Sequence, residues 1–192
     1  MPASPARCCH SGPVRLATLN VFGLTGNWPD RLVALQNGFV ALDADLVTLQ
    51  ETILTEELDQ AAAILGPGFQ LAHASHREAN GSSITTASRW PLGRIVEVDL
   101  HVTERTHEFA CTCLVTEILA PQPYGRIWLA NHLPDFQVDH ERERRLQAVT
   151  VARRSMDWLP MRRAMSSSLG TWMPMKPRTA SGSGPVGMSL MT

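Results

Sequence analysis

The chain offers little that assigns a class by composition. Its formal net charge is −1 over 192 residues, which removes any overall electrostatic case for wrapping nucleic acid or lying on a membrane. Aromatics make up only 6%, so there is no basic, aromatic-rich footprint of a nucleic-acid binder. No apolar run reaches the length that spans a bilayer. The opening "MPASPARCCHSGPVRL" lacks the apolar region of a secretory signal, so a cytoplasmic location is the default expectation. Cysteine is scarce: the four form two close pairs, Cys8–Cys9 and Cys111–Cys113. No repeated C-x-x-C spacing is present, and adjacent cysteines rarely bridge each other, so reduced thiols are expected despite the nearby His10 and His107. Beyond Trp158 the chain has no Asp, Glu or His at all.

What is present is ordinary for one folded domain. A hydrophobic fraction of 44% and a charged fraction of 18% allow a substantial core. Residues 1–13 carry three prolines and no periodicity and are expected to be a disordered leader. A strand is predicted over Val14 to Val21. In "WPDRLVALQNGFVALD" Leu32, Leu35, Phe39 and Leu42 recur at helical spacing, with Pro29 where a first turn tolerates it. "ADLVTLQET" reads as a strand covered on both faces, and "TEELDQAAAILG" as a helix stopped by Gly66 and Pro67. Successive strands follow over Phe69–Ala74, Ser82–Ser88, Arg94–Val102, Glu108–Ile118 and Gly125–Asn131. A last helix, "VDHERERRLQAVTVARRSMDWL", aligns Leu146, Val149, Arg153 and Met156 in one stripe. This order predicts an α/β sandwich of two packed sheets flanked by helices.

Three polar groups stand where predicted strands end, the place where loops build sites in α/β folds. Asn20 closes "LATLN". Glu51 closes the apolar run "DLVTLQE", where a carboxylate is costly unless paired, exposed at a rim or bound to a metal. Asn131 and His132 close "IWLANH". Taken singly, these are a turn residue, a rim carboxylate and a structural histidine. Together, a carboxylate-centred oxygen site suits Mg²⁺, and an imidazole beside it can bond a phosphoryl oxygen or carry protons.

The segments "LATLNV", "DADLVTLQET", "GSSITTASRWPL" and "IWLANHL" resemble, in this order, the signatures of the endonuclease/exonuclease/phosphatase superfamily. The resemblance runs over residues 14–159. It implies a DNase I-like fold and metal-assisted hydrolysis of a phosphoester by activated water, with Mg²⁺ as cofactor and Mn²⁺ as the alternative ion. It further implies that Glu51 is a metal ligand and that Asn20 orients ligand or phosphate at the same ion. By the same resemblance His132 contacts the scissile phosphate or assists proton transfer, while Ser88 and Arg89 are structural. The substrate class stays open among nucleic acid, phospholipid and small phosphate esters, as does the oligomeric state.

Members of that superfamily also carry a Gly-Asp-x-Asn/Asp-Ala segment after a later strand and an Asp-His pair near the end. Neither occurs here. The sandwich is therefore expected to be incomplete at its C-terminal side, with an open sheet edge, and activity to be impaired. The alternative is an inactive fragment or a degenerate binding module. Residues 160–192 are expected to be a disordered tail, with a displaced reading frame as its proposed origin. Met and Trp have single codons, so "GTWMPM" (170–175) fixes part of its own coding sequence. Read from the third base of each codon, it gives a position open to Asp, then Leu, Met or Val, then an obligatory Asp-Ala. Gly-Asp-Leu-Asp-Ala is an allowed solution, and "AMSSSL" before it is compatible with an apolar strand in the same frame. Resequencing the gene around Leu159–Arg163 is expected to find a displaced frame that stays open and encodes an Asp-His pair. An immediate stop in that frame would remove the idea.

Overall fold

In the computed structural model residues 12–158 are described; residues 1–11 of the leader expected over 1–13, and the whole tail expected over 160–192 with its displaced frame, lie outside them. The first unit is built from β1 (Leu16–Asn20), α1 (Trp28–Leu42), β2 (Leu46–Ile53), α2 (Gln60–Leu65), β3 (Gln70–His73) and β4 (Ser82–Ser88). It continues through β5 (Leu92–Asp99), a single 3-10 turn (Glu104–Thr106), β6 (Thr112–Leu119), β7 (Arg126–Leu133) and α3 (Glu141–Trp158). These strands form one sheet in the order β1-β2-β4-β3 and a second in the order β5-β6-β7.

Local chemistry explains the element ends. Asn27 caps α1 by accepting from the Asp30 amide, with a proline in the first turn. Asp43 ends α1 in the left-handed region, its N–H donating to the Phe39 carbonyl. α2 is shorter than the sequence suggests. Its cap is Asp59, whose side chain accepts from the Ala62 amide, while an isolated bridge joins Leu54 to Asp59. Residues 55–58 therefore turn before the helix begins. β6 starts at Thr112 rather than Glu108 because the Cys111 carbonyl is used by the Leu100 amide, outside the β5–β6 ladder.

β2 is covered on both faces, as its unbroken apolar run predicts. On one side Val47 and Leu49 meet α1 and α2 through Phe39, Ala61 and Ile64. On the other, Leu46 joins Trp90 and Ile118 between the sheets. A neighbouring cluster of Ala72, Ile84, Leu114 and Leu133 completes the inter-sheet core. Cys111 and Cys113 are buried and free. Arg89 donates to the Ala44 carbonyl and the Ser88 hydroxyl accepts from the Trp90 amide, so both hold the turn after β4. No helix among the described residues is long and apolar enough to cross a membrane.

The stripe foreseen on α3 does not face the core. Leu146, Val149 and Met156 are exposed, whereas Glu143 and Gln147 are buried. Gln147 accepts from the Asp135 amide and donates to the Leu100 carbonyl, and Glu143 meets Arg105. Specific polar contacts, not apolar periodicity, choose the inward face.

The sheets are also joined by one amide. Asn131, only 1% exposed, donates from Nδ2 to the carbonyls of Leu49 and Thr85 and accepts at Oδ1 from Gln50. Replacing it by alanine leaves buried acceptors without donors, and the expected loss is about 1–3 kcal/mol of unfolding free energy. Val40→Ala, at a position 80% exposed, should change little. Urea denaturation of both variants measures the difference.

Candidate active site

The parallel pairing of β1 with β2 sets Asn20 opposite Gln50, so the carboxyl ends of both strands open on the same edge. The regular register of β2 against β4 is lost between Leu49 and Thr52, a bulge that re-aims the residues within it. Glu51 sits in that bulge at φ 54°, a backbone conformation uncommon outside glycine and found preferentially at functional sites. Two backbone bonds secure it: the Val21 amide donates to the Gln50 carbonyl and the Gly23 amide to the Glu51 carbonyl. Gln60, fully buried, clamps the neighbourhood by accepting from the Ile53 amide and donating to the Gly23 carbonyl. Arg31 donates to the Val21 carbonyl from the other side.

This framework brings two of the expected residues into contact. Asn20 Nδ2 donates to Glu51 Oε1 at 2.8 Å, and Asn20 Oδ1 accepts from the Phe22 amide at 2.9 Å. The amide is thereby fixed in orientation: its nitrogen, not its oxygen, meets the carboxylate. No hydrogen bond among the described residues reaches Glu51 Oε2.

Asn20 and Glu51 line a groove of about 460 Å³ together with Thr18, Gln50, Phe109, His132, Asp135 and Phe136. His132 shares the groove but bonds neither Asn20 nor Glu51. Side chains alternate along a strand, so with Asn131 turned toward the first sheet His132 lies on the opposite face of β7. Its Nε2 is buried with no partner among the described residues, and burial lowers its pKa.

Gln50 and Asp135 were not singled out by sequence. Gln50 donates to Asn131 at 2.7 Å and to the Thr18 hydroxyl at 3.3 Å, coupling the bulge to both sheets. Its position directly before Glu51 was the available signal. Asp135 is buried and accepts from the Gln137 amide, with His140 Nδ1 at 3.0 Å. The two groups approach closely without the alignment of a hydrogen bond.

The donors bear on whether a divalent ion fits. One carboxylate with an unengaged oxygen, beside neutral amides at a rim, matches Mg²⁺, which keeps several waters and takes one or two carboxylates. No cluster of three or more His, Cys, Asp or Glu able to enclose an ion occurs among the described residues, so any ion held here remains largely hydrated.

Neither a protein-family model nor a curated protein sequence matches the chain. Solved structures do. A humanized D. rerio TDP2 is similar with a TM-score of 0.61 and 18% identity over 77% of this chain. ANGEL2, described as a 2',3'-cyclic phosphatase in complex with adenosine-2',3'-vanadate, gives 0.59 and 13% over 71%. An endonuclease/exonuclease/phosphatase family protein from Leptotrichia buccalis C-1013-b gives 0.55 and 12% over 74%. The matches span 61%, 46% and 63% of those chains, so this chain covers less than two thirds of each. Two packed sheets with flanking helices in this arrangement are the DNase I-like fold.

Two histidines give the fold a directional pH response. Burial lowers the pKa of His73 below its ordinary 6.5, against the opposing pull of Asp59, and burial alone does so for His132. Below pH 6.5 the unfolded chain takes up protons that the folded chain resists. Stability is then lost progressively until the folded-state values are passed. Unfolding free energy is expected to be flat above about pH 7 with respect to these groups and to fall toward pH 5. Urea titrations at several pH values should show a shallower fall in His132→Gln. An unchanged slope in that variant would remove His132 from the response.

Proposed function

We propose that the chain is a metal-dependent phosphoesterase scaffold that hydrolyses a phosphodiester or phosphomonoester bond with activated water. The observation that carries this reading is the Asn20–Glu51 pair, bonded at 2.8 Å with Glu51 in a left-handed bulge at the carboxyl ends of two parallel strands. Backbone strain of this kind costs about 1–3 kcal/mol, and a purely structural rim carboxylate has no need of it.

The charge of the groove supports the metal requirement. Its described lining holds the carboxylates of Glu51 and Asp135 and no Lys or Arg. A phosphate entering such a groove is repelled unless a cation accompanies it. Glu51 would hold Mg²⁺, or Mn²⁺, through Oε2, and Asn20 would share the ion through its amide oxygen. A divalent ion bound there supplies charge neutralisation at phosphate oxygens and acidifies water. Asn20 fixes the Glu51 rotamer and keeps one N–H of Nδ2 for a phosphate oxygen. His132 is the proposed proton carrier; its Nε2 is buried, so that role needs the end of β7 to open. The phosphoester chemistry named for ANGEL2 is consistent with this class, and the substrate is taken to be a phosphate ester.

A second reading has its own observation. Without a cluster of three ligating side chains among the described residues, and with no Asp, Glu or His after Trp158, the chain as written offers only the buried imidazole of His132 as a base for the attacking water. It is then a degenerate binding module or an inactive fragment, and the displaced frame after Leu159 is the proposed cause. Three proteins separate the readings in a Mg²⁺-dependent phosphodiesterase assay: this chain, the frame-restored chain and frame-restored Glu51→Ala. The restored chain is expected to be active, the chain as written far slower, and the substitution to cost a hundredfold or more, on the order of the several kcal/mol a metal contributes. Mn²⁺ binding, read by water-proton relaxation, should weaken in Glu51→Gln. Hydrolysis indifferent to Glu51 would sink the phosphoesterase reading.

A further inference from the structure

The core between the two sheets is apolar toward both ends and hydroxylic in the middle. One apolar cluster joins Ala72 and Ile84 to Leu114 and Leu133. The other joins Leu46 and Trp90 to Ile118. Side chains on one face of a strand recur at every second residue. On β6, Leu114 serves the first cluster and Ile118 the second, so the inward residue between them is Thr116. On β4 the next inward residue after Ile84 is Thr86, and on β2 the next after Leu46 is Thr48. The layer that separates the two clusters is therefore built of threonines.

Three threonines of the first sheet stand in register. Thr18 of β1 pairs with Thr48 of β2, and Thr48 pairs with Thr86 of β4. Their side chains form one row across adjacent strands, about 10 Å long at the usual strand spacing. The row begins in the groove that holds Glu51, which Thr18 and Thr48 line. It ends in the interior, where β4 faces β6 and both Thr86 and Thr116 are fully buried. The Thr18 hydroxyl accepts from Gln50. The hydroxyls of Thr86 and Thr116 have no partner among the described residues, and so do not bond each other. A buried hydroxyl left dry costs at least as much as a lost hydrogen bond, and valine has nearly the same shape without that cost. Two such hydroxyls on facing strands of one layer supply the polar partners that a buried water requires.

We propose that a bound water bridges Thr86 and Thr116 between the sheets, and that it belongs to a file of waters running along the threonine row into the groove beside Glu51. The file rests on the fold alone. With a phosphoester seated over Glu51 it would bring water to the site from the protein side, and that consequence rests on the phosphoesterase reading.

Oxygen-17 magnetic relaxation dispersion of water, measured on the whole chain, detects waters held longer than the protein takes to tumble. A long-lived water is expected in the unmodified chain, and Thr86→Val or Thr116→Val is expected to lower the dispersion amplitude by about one water. Each variant should also melt about 2–4 °C lower. The double variant should lose less than the two singles added together, because both hydroxyls hold the same water. Dry hydroxyls give the opposite sign, since valine then removes an unmet polar group and raises Tm. Thr48→Val tests the path: an apolar side chain at the mouth is expected to lengthen the residence time of the buried water, and an unchanged residence time removes the route to the groove. A higher Tm in either interior variant, or a dispersion that neither lowers or that is absent from the unmodified chain, overturns the bridging water. Mn²⁺ binding at Glu51 tests the phosphoesterase reading alone, so the failure of one idea is distinct from the failure of the other.

Discussion

Everything at the site depends on one buried amide being fully satisfied. Asn131 uses both amide protons and its oxygen on Leu49, Thr85 and Gln50, groups from two strands of the facing sheet. A buried polar side chain with unmet partners destabilises a core, whereas a complete network fixes a single arrangement. These three bonds therefore set the separation of the sheets where β2 bulges. They also hold Gln50 directly beside Glu51. A change in how β7 meets the first sheet would be felt at the carboxylate without any direct contact to it.

The bulge shows the converse dependence. Glu51 at φ 54° is held by neighbours on several sides: the Gly23 amide, the Asn20 side chain and, one layer out, Gln60 and Arg31. None of these is a covalent constraint, and each is modest in net energy. Their common effect is to fix the backbone of the bulge, with one carboxylate oxygen of Glu51 bonded to Asn20 and no hydrogen bond among the described residues to the other. A flexible rim glutamate keeps its side-chain entropy; this one has given part of it up on folding.

Much of this was legible in the sequence because it is local. An apolar run ending in Glu51 marks a covered strand, and a helix between it and β1 makes the pairing parallel, so Asn20 and Glu51 had to emerge on one edge. The roles of Gln50 and Asn131 were not legible. Both are amides whose meaning lies in partners 81 residues apart, and no local pattern distinguishes such a tie from a surface amide. The face of α3 was hidden for a related reason. Periodicity located a stripe through Leu146, Val149 and Met156, but Glu143 and Gln147 won the inward face through long-range polar contacts.

His132 illustrates the sharpest limit. A strand alternates its side chains with period two, so a one-residue difference decides which face a group serves. The residues "ANHL" announce a histidine at a strand end but not its face. That choice belongs to Asn131, whose three bonds to the first sheet demand the inward position and turn His132 outward. Burial then lowers the histidine's pKa and leaves it neutral near pH 7, able to take or give a proton once Nε2 is reached. The interaction that assembles the site thus also determines how far its imidazole stands from the carboxylate, and in what protonation state it waits.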